Sequence, residues 1–225
     1  MARLRSVHYE DIQLGILAKA AELFGTKGYE RSSIADLTEA CSLSRGALYH
    51  YFSSKESILF AMLDAHVREL LERLEDAVAA GGTPVEQLTR VIETVVVYNA
   101  GSPHQQVVLL NDLASLGASE QRQIVKLQQQ IVDLVAGTLV RIDSGGKITR
   151  STCKVYTMML FGIINYTYTW YDPAGGVKPK QLAQMATDLL LKGLQSGVAS
   201  HATEPLRKAG ASEVVAPLRR RAAQR

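Results

Sequence analysis

At 225 residues, with 47% hydrophobic and 21% charged positions, the chain is of ordinary globular composition and holds one larger domain or two smaller ones. Its two cysteines, Cys41 and Cys153, lie far apart and lack partners at metal-ligand spacing. A zinc site or a disulfide framework is therefore not expected, and a reducing, cytoplasmic setting is. No apolar run follows Met1-Ala-Arg-Leu-Arg, so no signal peptide is expected. The most apolar stretch, Met158 to Tyr171, is too short to span a bilayer, so neither is a membrane partner.

The net charge of +3 is unevenly spread. Residues 201–225 carry six Lys or Arg against two Glu, net +4, whereas the other 200 carry 19 against 20, net −1. A nucleic-acid binder with so neutral a body must concentrate its cations locally. Arg3, Arg5, Arg31, Arg45 and Lys55 are placed to do so, unless they are scattered surface charge.

In chain order, Ile12, Ile16, Leu17, Ala20, Leu23 and Phe24 keep the helical period, and Gly28 is a plausible C-cap, which predicts a first helix from about 9 to 27. Ser33 with Asp36 has the form of a capping box, Asp replacing the usual Glu, and opens a second helix. A turn follows at Cys41-Ser42-Leu43. Ser44 is an N-cap for a short third helix, about Arg45 to Tyr51, which exposes Arg45, Gly46, Tyr49 and His50 and turns Leu48 and Phe52 inward. Lys55 and Glu56 open a long helix to about Ala80. This is helix-turn-helix geometry, whose second helix lies in a DNA major groove.

Further helices are expected over about 84–100, 104–116, 119–143, 148–171 and 178–197, separated at Gly81-Gly82, Gly101-Ser102-Pro103, Ser144-Gly145-Gly146 and Pro173-Ala-Gly-Gly. No strand alternation appears, so the fold class is all-α. The division is a three-helix helix-turn-helix DNA-binding domain over 1–55, a helical ligand-binding and dimerisation domain over 56–199, and a basic, disordered tail over 200–225.

The segment Gly28-Tyr29, then Leu43-Ser44-Arg45-Gly46-Ala47-Leu48-Tyr49-His50-Tyr51-Phe52 and Lys55-Glu56, resembles the TetR family of bacterial transcriptional regulators. Ser42 stands where that family usually has Gly, which implies a non-Gly residue at positive φ. The resemblance implies a homodimeric repressor on a palindromic operator. It also implies phosphate contacts from Tyr49, His50 and Lys55. Ser33 and the adjoining helix N-terminus are further phosphate candidates, and Arg45 is the candidate for reading guanine. Tyr49 as a packed turn aromatic and His50 as a solvated imidazole remain alternatives.

The last two helices resemble the dimerisation pair of the family. Leu182, Met185, Ala186, Leu189, Leu190 and Gly193 are the expected interface, Ala186 and Gly193 allowing close approach. Asn111-Asp112-Leu113, Phe161 to Gly176 and Asp188 to Leu194 are similar to an acyl-CoA-responsive branch. Its members often carry Arg near the Trp, where this chain has Thr169 and Asp172. Tyr98, Tyr156, Met159, Tyr166 and Trp170 are the expected ligand wall, apolar with hydroxyl handles. Trp170 stacks on an adenine, lines the pocket mouth or packs in an interface. No nucleophile elbow, P-loop, metal spacing or paired carboxylates appear, so neither catalytic residues nor a cofactor are expected. The second functional class is a helical small-molecule-binding protein or enzyme with an incidental helix-turn-helix.

Overall fold

The computed structural model describes the backbone of residues 2–142, 148–149 and 152–195, and the side chains of 9–193 within them. The expected turn at 144–146, the side chains of Arg3 and Arg5, and the tail from 200 lie outside the described residues. Every regular element described is helical. Helix α1 spans Ala2–Lys27, beginning earlier than the sequence predicts. Gly28 at φ 89° ends it and donates its N–H to Phe24 O at 2.9 Å.

Helices α2 (Ile34–Cys41) and α3 (Arg45–Tyr51) follow. Ser33 and Asp36 form the expected capping box: Asp36 N donates to Ser33 Oγ at 3.1 Å and Ser33 N to Asp36 Oδ2 at 2.8 Å. Ser42, at φ 53°, is the one non-glycine residue at positive φ among those described. Its N–H and that of Leu43 close onto Glu39 O and Thr38 O, a Schellman-type end that repays part of the strain. Ser44 Oγ accepts from Ala47 N at 3.1 Å and starts α3.

Helix α4 (Lys55–Ala79) is the strut that links the helix-turn-helix to the second helical unit. Its N-cap Ser54 pairs reciprocally with Ser57, a box that sequence reading missed because serine replaces Glu. Ile58, Leu59, Met62, Leu63, Val67, Leu70, Leu71 and Leu74 are buried along one face. At about 1.5–3 kcal/mol of transfer free energy each, they decide where α4 lies. Helix α5 (Pro84–Gly101) is capped by Thr83 and Glu86 and packs on α4, on α7 (Ala118–Ile142) and on α9 (Pro179–Gln195). Arg90 of α5 donates to Ala77 O at 3.0 Å and to Gly81 O, capping the C-terminus of α4 from outside. Helix α6 (Pro103–Asp112) lies against α1, and a 3-10 turn follows at Leu113–Ser115, so Leu116 falls outside the helix expected there.

The helix expected over 148–171 is shorter. Thr149 and Thr152 exchange backbone-to-hydroxyl bonds, a capping-box arrangement that delays α8 to Cys153–Asn165. Thr167 Oγ1 then bonds back to Ile164 O at 2.7 Å and Thr169 Oγ1 to Tyr166 O at 2.8 Å. These bonds accompany a tightened 3-10 turn, Tyr166–Thr169.

His66 is buried on α4, stacked on the Tyr98 ring at 4.9 Å, with Nε2 3.5 Å from Gln106 Oε1. Burial pushes its pKa below the ordinary 6.5, against smaller upward effects of Gln106 and Glu69. The unfolded chain therefore binds more protons below that value, so His66 contributes stability above pH 6.5 that is lost as pH falls through it. The melting temperature is expected to drop between about pH 7 and pH 5, and less steeply in His66→Leu. Parallel profiles for the two proteins would exclude this role for His66.

Candidate nucleic-acid interface and ligand cavity

Leu48 is fully buried and Phe52 nearly so, which fixes the roll of α3 and leaves Arg45, Gly46, Tyr49 and His50 exposed. The Arg45 guanidinium carbon lies 5.6 Å from the Tyr49 ring centroid. The Tyr49 ring, 40% exposed, thus holds a cation beside its hydroxyl on the outer surface. His50 is less free than a solvated imidazole. Its ring stands edge-on to Tyr9 at 5.9 Å and to Tyr51 at 5.4 Å, and Tyr9 lies 4.7 Å from Tyr51. This aromatic set ties α1 to α3.

Two of the expected phosphate ligands are engaged inside the domain. Lys55 Nζ donates to Tyr29 O and Ser32 O, both at 3.0 Å, and sits 4.1 Å from the Tyr29 ring centroid. The side chain staples the α1–α2 turn to the start of α4. The reason is local: the turn leaves two carbonyls open, and an ammonium at the first position of α4 is the donor in reach. Ser33 Oγ is likewise occupied, accepting from Asp36 N and donating to Asp36 Oδ2 at 2.9 Å. Lys27, 2.6 Å away, and the Ser33 bonds hold the Asp36 carboxyl down at about 2. The N-terminus of α2 thus carries an anion of its own, which weakens it as a phosphate site.

The second helical unit holds a cavity of about 270 Å³. Val67 and Leu70 of α4, Gln106 and Leu109 of α6, Ile131 of α7 and Phe161 of α8 are among its walls, together with Gln128, Met158 and Asn165. The expected ligand wall is only partly there. Tyr98 is buried and donates to His66 O at 3.0 Å and Glu69 Oε2 at 3.2 Å, away from this cavity. Burial, then the Glu69 charge, pushes its pKa up. Tyr156 is half-buried, and it is not part of the cavity wall. Met159, Tyr166 and Trp170 are 59%, 62% and 62% exposed. Met158, Phe161 and Asn165 face the cavity. Met159 is one position, about 100°, further round α8. The choice between adjacent methionines was not decidable from composition.

On α9, Met185 and Leu189 are exposed, as is Gly193, and Leu182 and Leu190 are half-buried. Ala186 is buried in the subunit, as is Ala183.

The contacts joining the two units were not singled out in the sequence. A Cβ on Gly25 of α1 would stand 2.9 Å from the His104 Cβ of α6, so the helices touch backbone-close there. Gly117 N donates to Glu56 Oε1 at 2.7 Å, and Ser115 Oγ to Glu30 Oε1 at 3.1 Å. Asp112 is raised above the ordinary carboxyl range by burial and then by Glu30. A glycine inside a helix, as at Gly25, was the available signal. No His, Cys, Asp and Glu cluster among the described residues would hold a metal, and no described helix is long and apolar enough to cross a membrane.

Together these features define a helix-turn-helix DNA-binding protein whose second unit carries a small cavity. Residues 16–62 match the family model of bacterial regulatory proteins of the tetR family. Residues 81–194 match the tetracyclin repressor-like C-terminal domain. The chain is 33% identical to a TetR-family transcriptional regulator from Bordetella parapertussis, with TM-score 0.78 over 85% of this chain and 100% of that one. It is 23% identical to the fatty acid metabolism regulator protein of Bacillus subtilis, over 80% of this chain and 94% of the relative. The structure of AibR in complex with isovaleryl coenzyme A and operator DNA shares the fold, with TM-score 0.70 at 23% identity over 79% of this chain and 97% of that one. The chain belongs to the TetR family and is a DNA-binding transcriptional regulator.

The roles of Tyr49 and Lys55 separate by experiment. Tyr49→Ala is expected to weaken DNA binding at unchanged melting temperature. Lys55→Met leaves two carbonyls unpaired and is expected to cost about 1–3 kcal/mol of stability. Chemical denaturation and mobility shift on both variants check this. Equal loss of stability in the two would make Tyr49 structural.

Proposed function

We propose that the protein is a homodimeric repressor, released from a palindromic operator by a small hydrophobic or acyl-CoA-type inducer. The observation that carries the reading is the course of α4. It starts directly behind α3, whose exposed Arg45 and Tyr49 face outward, and further along it forms a wall of the cavity through Val67 and Leu70. In this reading residues 1–55 meet DNA, and residues 56–199 bind ligand and the partner copy. The setting is the cytoplasm, and no catalytic step is assigned.

Repression follows from geometry. One seven-residue helix reads few bases, so two copies at about 34 Å or a multiple of it supply specificity. A ligand that binds better when α4 and α6 are spread shifts the population toward that state. Movement of α6 reaches α1 through the Gly25–His104 contact, and movement of the α6–α7 connection reaches α4 through Gly117 and Glu56. Both alter the separation of the recognition helices in a dimer. AibR was solved with an acyl-CoA and operator DNA, and the Bacillus subtilis relative is named for fatty acid metabolism, which supports an acyl-type inducer here.

The dimer is supported by apolar exposure on the last two helices. Met159, Ile163 and Tyr166 of α8 and its 3-10 extension stand open, with Met185 and Leu189 of α9. Gly162 has open space where a Cβ would be, so a partner helix can approach closely. Apolar exposure on this scale marks an interaction surface.

Mobility-shift titration with the DNA flanking the protein's own gene is expected to give a specific complex at moderate salt, whose affinity falls with salt. Absence of any specific complex there would refute the regulator's assigned operator. Leu189→Glu is expected to convert the dimer to monomer in analytical ultracentrifugation and to abolish operator binding. A variant that remains dimeric would remove α9 from the interface.

A further inference from the structure

The second unit holds another cavity, of about 340 Å³, at a place where three elements begin or end. Asn99 reaches it from the last turn of α5, and Pro103 is the first residue of α6. Thr167 and Tyr168 belong to the 3-10 turn, and Tyr171 and Asp172 to the loop after it. This cavity shares no wall residue with the one described above. The two lie on either side of an amide pair, Asn99 Nδ2 donating to Asn165 Oδ1 at 3.4 Å.

The electrostatics of the walls have one sign. None of the described wall residues carries a cation, and Asp172 is an anion. Asp172 Oδ1 accepts from Ala174 N at 2.9 Å, and its Oδ2 has no hydrogen-bond partner among the described residues. Lys178, the lysine of the same loop, donates to Ala174 O at 3.4 Å. Helix α5 and the 3-10 turn both bring their C-terminal ends here, the negative ends of their dipoles. Helix α6 begins here, but at a proline, which has no N–H to offer an anion. Asn99 is 2% exposed, and its Oδ1 is buried without a partner, an acceptor in need of a donor. Tyr168 and Tyr171 contribute ring faces that attract cations. Tyr171 is fixed in place by its hydroxyl, which donates to Val177 O at 3.0 Å.

We propose that this cavity is a second ligand site, for a small organic cation: a primary ammonium on a short aromatic body. The ammonium is the donor that Asn99 Oδ1 and the Asp172 carboxylate call for, and the aromatic body packs against the tyrosine rings. A carboxylate or phosphate in the same place would meet Asp172 and two helix C-termini with no cation to offset them. The size, within the lower part of the usual range for ligand pockets of about 300–1,000 Å³, suits a compact molecule. The site also has a route to the DNA-binding unit. Pro103 is followed in α6 by His104, whose Cβ stands against Gly25 of α1.

The test is calorimetric titration of the full chain with 2-phenylethylamine, 2-phenylethanol and 3-phenylpropionate, which share a body and differ in charge. It contains neither DNA nor an acyl compound, so its failure leaves the proposed repressor and inducer untouched. The amine is expected to bind about tenfold tighter than the alcohol, the worth of a charge-assisted hydrogen bond, and the carboxylate more weakly than both. Trp170 is the chain's one tryptophan, and its ring lies 6.1 Å from that of Tyr171. Its emission is therefore expected to change as the amine binds. Asp172→Asn keeps the acceptor for Ala174 N on an exposed residue, so an unchanged melting temperature is expected. In that variant the preference for amine over alcohol is expected to fall at least threefold. Equal binding of amine and alcohol by the parent protein overturns the proposal without any variant having to fold. So does tighter binding of the carboxylate, an unaltered Trp170 emission, or a full amine preference in Asp172→Asn.

Discussion

The structure depends on the fixed position of α4. Eight buried apolar side chains hold it in the core, Lys55 fastens its first residue to the Tyr29 and Ser32 carbonyls, and Arg90 caps its far end. The apolar term outweighs the two polar ones by several-fold, at about 1.5–3 kcal/mol per side chain against about 1–3 kcal/mol for an ammonium bonded to carbonyls. The polar contacts add a smaller stabilisation and set the register. A helix held in this way moves as a body when its middle is displaced. That makes a cavity walled by Val67 and Leu70 an effective place to act on α3.

The polar groups buried beside α4 have a different character. His66, Tyr98 and Gln106 meet around its middle, with Tyr98 donating into the α4 backbone at His66 O. Hydrocarbon side chains of similar size would fill this space at less cost. Their location between the cavity and the α1–α6 contact gives a reason for keeping them. Gln106 and Gly25's neighbour His104 both sit in the first turn of α6, so a shift at one is felt at the other.

Legibility in the sequence followed the range of the interaction. Capping boxes, the αL position at Ser42 and the buried face of α4 are local, and the residues that form them sit within a few positions of one another. The exposure of Arg45 and Tyr49 followed from the same short period. What has no local signature is set by tertiary contact. Lys55 finds its partners 26 and 23 residues away, so its role as a staple has no local signature. Ala186 has the size expected of an interface residue, yet it is buried within the subunit. Met158 and Met159 differ only in helical phase, and the start of α8 at Cys153 is fixed by a threonine pair that no hydrophobic count reveals.

The charge distribution ties these points together. Of the cations near the helix-turn-helix whose side chains are described, Lys27 is paired with Asp36, Lys55 is bonded inside the domain, and Arg31 packs over Gly28. Arg45 is left as the outward cation on α3. A body of net −1 outside residues 201–225 adds no broad attraction. In the proposed dimer, affinity rests on both copies engaging at once, which requires the correct separation of the two α3 helices. A cavity walled by α4 is then placed to act on that separation.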